Sequence, residues 1–244
     1  MTLAGLLFFG IDPQAVKPAF TIKAVSYFGN DIEGNQYRSK PKDLTGTIPE
    51  LFEKGIDFLN NNLDFIQASE SFNAQGKLEV SSIALEELLQ NALVHRDYFK
   101  NSPIRLLIFD NRIEIISPGK LPNSLTVEDI KFGNPVIRNN QLVSFSTHTL
   151  PFSGLGSGVK RALAEQPNIE LINDIEGEQF KVIIPRPEKN REYQYHLSLC
   201  STATHIAKPH QPLLKSKLGK ECVCPTAQPK RPTNKRVDKE HRSD

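Results

Sequence analysis

Between residues 80 and 187 the spacing of apolar residues switches from helical to alternating and back in one order: helix, two strands, short helix, glycine loop opening a helix, two strands. Few architectures accept that order. In 82–96, Leu85, Leu88, Leu89 and Ala92 form a stripe at helical spacing, with Ser81 or Ser82 available as the N-cap and a polar neighbouring face. Segments 104–109 and 112–117 read as strands around Asp110-Asn111, residue types that tolerate the positive backbone angles of a two-residue hairpin turn. After the loop Pro118-Gly119-Lys120-Leu121-Pro122 come a short helix near 126–131, an irregular stretch over 132–153, a helix over about 159–165, and strands at 169–173 and 179–184 around Gly177. These elements predict an α+β fold in which helices cover one face of a mixed, mainly antiparallel sheet.

The preceding segment reads as an apolar helix at 3–9, a turn, a strand at 20–28, a loop over 29–46 and a helix at 48–61. Residues 68–77 carry no clear period. The expected division is therefore a partial N-terminal α/β segment at 1–76, a second domain at 77–188 and a tail at 189–244. The tail differs in kind. Residues 1–188 hold 18 Lys and Arg against 23 Asp and Glu, whereas 189–244 hold 12 against 5, with five Pro, no Phe and eight Leu, Ile or Val. So little apolar surface does not offset chain entropy, and the tail is expected to be disordered. All three Cys lie in it, which leaves no disulfide framework. No apolar run approaches the roughly 18–20 residues of a membrane span. The chain is expected to be cytoplasmic, with no membrane partner.

Glu87, Asn91 and His95 recur at intervals of four, which puts a carboxylate, an amide and an imidazole on nearly one helix face. A hard amide oxygen suits Mg2+, and a carboxylate one turn away can deprotonate a water. The same spacing also describes an ordinary solvated face; Glu86, about 100° away, is assigned to solvent. The loop Gly154-Leu155-Gly156-Ser157-Gly158 opens a helix, where backbone N–H groups and the positive helix end can hold phosphate. It also reads as a flexible turn. Lys160 and Arg161 follow it, as phosphate contacts or as solvated charges. Neither a dinucleotide fingerprint nor a Gly-Lys-Ser/Thr phosphate loop occurs.

In that order the motifs resemble the Bergerat-fold (GHKL-type) ATPases shared by gyrase, histidine kinases and MutL. ALEELLQNALVHRDY, SPIRLLIFDNRIEIISPGKLP and GLGSGVKRAL are similar to the divergent ATPase-like domain of bacterial transcriptional regulators and RecG-related ATP-dependent DNA helicases, and TLAGLLFFGIDPQ with FTIKAVSYF resembles the end of a Schlafen/AlbA-type DNA-binding domain. The resemblance implies ATP and Mg2+ as cofactors, Glu87 as the water-activating base and Asn91 as the metal ligand. It places Gly119 in the adenine-side turn and Gly154, Gly156, Ser157 and Gly158 in the phosphate loop. Ser117 stands where those ATPases carry the acid that accepts the adenine amino proton. A neutral acceptor there is expected to weaken affinity by about 1–2 kcal/mol.

The resemblance also implies a full DNA-binding domain before this point and a winged helix after it, so the chain is expected to be truncated. His196, Cys200, His205, His210, Cys222 and Cys224 match no standard zinc spacing. The function implied is an ATP-binding, DNA-associated transcriptional regulator with a weak ATPase, against a non-catalytic interaction module that keeps the fold. A mechanical helicase is disfavoured, since the chain carries no Walker motif. The acidic body leaves DNA contact to the tail or to the expected missing N-terminal portion, because duplex affinity depends on phosphate neutralisation. Deleting 189–244 is expected to leave the melting temperature of the remainder nearly unchanged while lowering non-specific DNA affinity and flattening its salt dependence. DNA titrations at two salt concentrations check this; identical slopes for both chains would remove the tail from any DNA contact.

Overall fold

A computed structural model describes residues 1–32, 36–67, 76–122, 125–134, 136–151, 154 and 156–187, all within the unit Met1–Lys189. The expected tail and its His and Cys residues lie outside the described residues. In chain order the elements are α1 (Leu3–Phe9), α2 (Pro13–Val16), β1 (Ile22–Tyr27), β2 (Tyr37–Ser39), α3 (Ile48–Asn62), β3 (Phe65–Gln67), β4 (Gly76–Leu78), α4 (Ser82–His95), β5 (Ile104–Ile108), β6 (Arg112–Pro118), α5 (Val127–Phe132), α6 (Asn140–Thr149), α7 (Gly158–Glu165), β7 (Glu170–Asp174) and β8 (Gln179–Pro185).

Six strands form one sheet in the order β2-β1-β5-β6-β8-β7, and only the β1–β5 pair is parallel. The α+β class and the mixed, mainly antiparallel sheet are as expected from the order of elements. β1, from before residue 77, and β5, from after it, are hydrogen-bonded neighbours from Ile22↔Ile104 to Ser26↔Ile108. β3 and β4 form a separate antiparallel pair.

Alternation along the strands sorts side chains between the two faces. Ile22, Ala24, Ile104, Leu106, Ile113, Ile115, Val182 and Ile184 share one buried core with residues of α1, α3, α4, α6 and α7. The opposite face carries a small separate cluster of Val25, Leu107, Phe109 and Ile116, where Tyr27 stacks on Phe109 at 5.2 Å and Arg112 lies 4.1 Å from the Phe109 ring centroid. α3 and α4 pack closely at Gly55. A Cβ there would come within 2.7 Å of Leu89 Cδ2, so a larger residue would displace that buried side chain.

Several local expectations need correction. The stretch over 132–153 is not irregular throughout: α6 occupies its middle, with Leu142 and Ser146 buried. β2 lies inside the supposed 29–46 loop, α2 follows Asp12, whose side chain caps it, and β3 and β4 flank the segment without a period. Neither Asp110 nor Asn111 has a positive φ. Their turn is held by the Phe109 N–H on the Arg112 carbonyl at 2.8 Å, so the hairpin does not need the primed turn those residues permit. The second face of α4 is not solvated either, since Glu87 and Gln90 are buried; Glu86 is only partly exposed.

Where β8 ends, Arg186 is fully buried and its Nη2 and Nε donate to Glu79 Oε1 at 2.6 and 3.1 Å; its Nη1 donates to the Phe109 carbonyl. This ties the end of the sheet to the residue after β4. Removing one partner of a buried ion pair leaves the other charge desolvated and unpaired. Arg186→Met is expected to lower unfolding free energy by about 3–5 kcal/mol, and adding Glu79→Leu to recover part of that, as read from urea denaturation.

Candidate functional site

A single cleft gathers residues far apart in sequence: Glu87, Asn91 and His95 from α4, Ser117 and Gly119 from the end of β6, and Gly154, Gly156 and Gly158 from the start of α7. Its floor is apolar, built by Leu88, Ile115, Val143, Leu171, Phe180 and Val182. α4 presents the polar row because its other sides are taken up. Leu85, Leu88, Leu89 and Leu93 are 2% exposed or less and face the core, so the Glu87–Asn91–His95 row is left toward the cleft. Glu87 itself is only 6% exposed, which sets aside the solvated-face reading for this residue.

Burial pushes the Glu87 carboxyl above its ordinary pKa, while the Arg161 guanidinium, in direct ion pair with it, opposes that rise. The glycine loop fits against this carboxylate. Gly154 and Gly156 have φ of +67° and +73°, the left-handed region that favours glycine. Gly158 is helical, and its lack of a side chain has a different cause: a Cβ there would collide with Glu87 Oε2 and lie 3.3 Å from Asn91 Nδ2. Asn91 Nδ2 is buried without a hydrogen-bond partner. A buried amide normally finds one, so this end of the cleft suits a polar ligand.

Ser117 is buried and its Oγ donates to the Ala92 carbonyl at 3.2 Å. With the proton committed, the remaining lone pairs of the hydroxyl can only accept. Gly119 takes φ +99°, and its N–H donates to the Glu178 carbonyl at 2.8 Å. A Cβ at this position would meet Asp97 and come within 2.6 Å of Arg138 Nη1. Ser157 precedes α7 as its N-cap residue; its hydroxyl makes no capping bond and it is not among the lining residues, unlike the three glycines around it.

Three contributors carried no clear sequence signal. Arg161 sits three residues beyond Gly158, where a basic residue on a helix also reads as solvated. Arg138 pairs with Asp97 at 3.9 Å and donates to the Lys120 carbonyl, bracing the Gly119 turn from an irregular stretch of sequence. Asn139 Nδ2 donates to the Val94 and Arg96 carbonyls at 2.9 and 3.0 Å, which fastens the start of α6 to the C-terminal end of α4.

The residues present fit a nucleotide with Mg2+. Asn91 offers a hard oxygen, Glu87 a carboxylate, and the glycine loop closely approached backbone; Mg2+ characteristically takes one or two protein ligands and completes its shell with water and phosphate. Among the described residues no group of three or more His, Cys, Asp and Glu forms a metal cage.

Residues 101–184 match the sequence family described as "Putative ATP-dependent DNA helicase recG C-terminal". That stretch is similar to an ATPase-like region. The described fold is similar to the crystal structure of the DIP2311 protein from Corynebacterium diphtheriae, with a TM-score of 0.62 and 20% identity over 80% of this chain. The chain spans 39% of the length of that protein. At this identity the likeness concerns fold alone. No curated protein matches the sequence. No helix among the described residues is long and apolar enough to cross a membrane.

His95, one turn beyond Asn91, has its pKa lowered to about 4 by burial and by Arg138. The folded state therefore resists protonation that the unfolded chain accepts near its ordinary value of 6.5. Stability is full above that unfolded value and declines as pH falls toward about 4. Between pH 7 and 5 the loss attributable to His95 is expected to be on the order of 2 kcal/mol. Denaturation at both pH values, for the native chain and for His95→Gln, checks it: the variant loses that part of the slope.

Proposed function

We propose that the chain is a nucleotide-binding module that takes ATP with Mg2+ in this cleft and belongs to a DNA-associated regulator, with slow ATP hydrolysis at Glu87. The observation that carries the reading is the meeting of Glu87 and Asn91, one turn apart on α4, with the three glycines at the start of α7. Asn91 would hold the metal, which supplies charge neutralisation for the phosphates. The backbone of Gly154, Gly156 and Gly158 leaves room for phosphate oxygens, and the start of α7 favours negative charge. Glu87 accepts a proton from the attacking water, a task suited by a carboxyl whose pKa burial has raised.

The base lies toward Ser117 and Gly119. An acceptor-only hydroxyl favours the amino group of adenine and opposes the carbonyl oxygen of guanine, where lone pair would face lone pair. DNA association is supported by the wording of the matched family and by the basic composition of residues 189–244.

The second reading, a non-catalytic module, is favoured by the occupation of Glu87 by Arg161. The two separate in one set of experiments. ATP with Mg2+ is expected to raise the melting temperature of the full chain, by mass action equivalent to about 2.7 kcal/mol at a hundred times Kd. Asn91→Ala removes the Mg2+-dependent part of that shift. Glu87→Gln retains at least that shift and loses phosphate release, because a general base acts on the attacking water. A native chain that binds ATP but releases no phosphate favours the interaction module; equal loss of binding in both variants contradicts the assigned roles.

A further inference from the structure

We infer that Arg161 is a phosphate-competed latch on Glu87: in the nucleotide-free chain its guanidinium holds the buried carboxylate, and the phosphates of a bound nucleoside triphosphate take that guanidinium over and release Glu87 toward the cleft. The inference rests on the nucleotide reading of this cleft.

Three features of the geometry carry it. Arg161 lies one turn into α7, and helical side chains lean toward the N-terminus of their helix, so this one points back toward Gly158 and the mouth of the phosphate loop. The two partners are unequally held. The Glu87 side chain is 7% exposed, whereas that of Arg161 is 49% exposed, so the carboxylate is fixed and the guanidinium, on a long half-solvated stem, is the partner free to move. Finally, Arg161 Nη2 engages Oε1 of the carboxylate while Oε2 faces the backbone of Gly158, so the cation and the loop close on the same group from two sides.

A guanidinium that leaves a buried carboxylate abandons a partner that burial has left poorly solvated, and only another anion of comparable donor-accepting capacity offsets this. Phosphate is such an anion, since its oxygens accept two parallel N–H bonds from the planar fork. A base or ribose offers no equivalent. The latch therefore responds to the triphosphate end of the ligand. It also lowers apparent affinity, because part of the binding free energy goes to opening it.

The test is a double-mutant cycle on Mg2+–ATP affinity, measured by calorimetry on the full chain. Arg161→Gln is expected to weaken binding about tenfold, the loss of one charge-assisted hydrogen bond. Glu87→Gln is expected to tighten it roughly fivefold, the factor by which a latch closed about 80% of the time reduces apparent affinity. The double variant should match Arg161→Gln alone, since without the guanidinium there is nothing to release. Should Glu87→Gln not fold, Glu87→Asp withdraws the carboxylate from Arg161 and must give the same Arg161-dependent gain. An equal gain in both backgrounds would mean simple repulsion between Glu87 and phosphate and overturns the latch while leaving the nucleotide reading intact, as does no gain at all. Absence of ATP binding in folded native chain and Glu87→Gln alike overturns both.

Discussion

Burial of α4 is the constraint on which the other elements depend. Nine of its fourteen residues are buried, and its neighbours are the sheet, α3, α6 and α7. Full burial of Leu85, Leu88, Leu89 and Leu93 contributes roughly 1.5–3 kcal/mol each, which makes this helix the anchor of the core. A helix so enclosed leaves little room for polar groups. Arg161 approaches Glu87 from α7 and partly offsets its burial, and a side chain at residue 158 would collide with the same carboxylate. Core packing and cleft chemistry are thus parts of one arrangement.

The Ser117 end of the cleft is held in the same way. Ser117 is tied to Ala92 on α4, while Arg138 and Asn139 fasten the start of α6 to the turn after β6 and to the last carbonyls of α4. α6 in turn meets α1 through Phe145, whose ring lies 5.6 and 5.3 Å from those of Phe8 and Phe9. The wall that bears Arg138 is therefore packed against the N-terminal helix as well as the cleft.

The sequence made the element order and the Glu87, Asn91 and glycine-loop positions legible because each follows from local periodicity or from the special backbone freedom of glycine. What it did not disclose depended on contacts between distant segments. The spacing of Glu87 was compatible with solvent until α7 was seen to cover it. Arg161 read either as a phosphate contact or as a solvated charge, and Arg138 was not singled out, since nothing local distinguishes an arginine that braces a glycine turn or holds a carboxylate. β2, β3 and β4 have three residues each, too short for alternation to emerge above their surroundings. α6 was hidden by a weakly amphipathic sequence rich in Ser and Thr, whose hydroxyls instead bond the preceding turn, as Ser146 does to Leu142 at 2.7 Å.

Amide hydrogen exchange of the full chain with and without Mg2+–ATP tests the central claim most directly, because it reads each wall of the cleft separately. The proposed nucleotide site requires protection to rise together at the C-terminal half of α4, the Gly119 turn and the first turn of α7, with the β3–β4 pair unchanged. Protection confined to one of these walls, or none in any of them at saturating nucleotide, would contradict it.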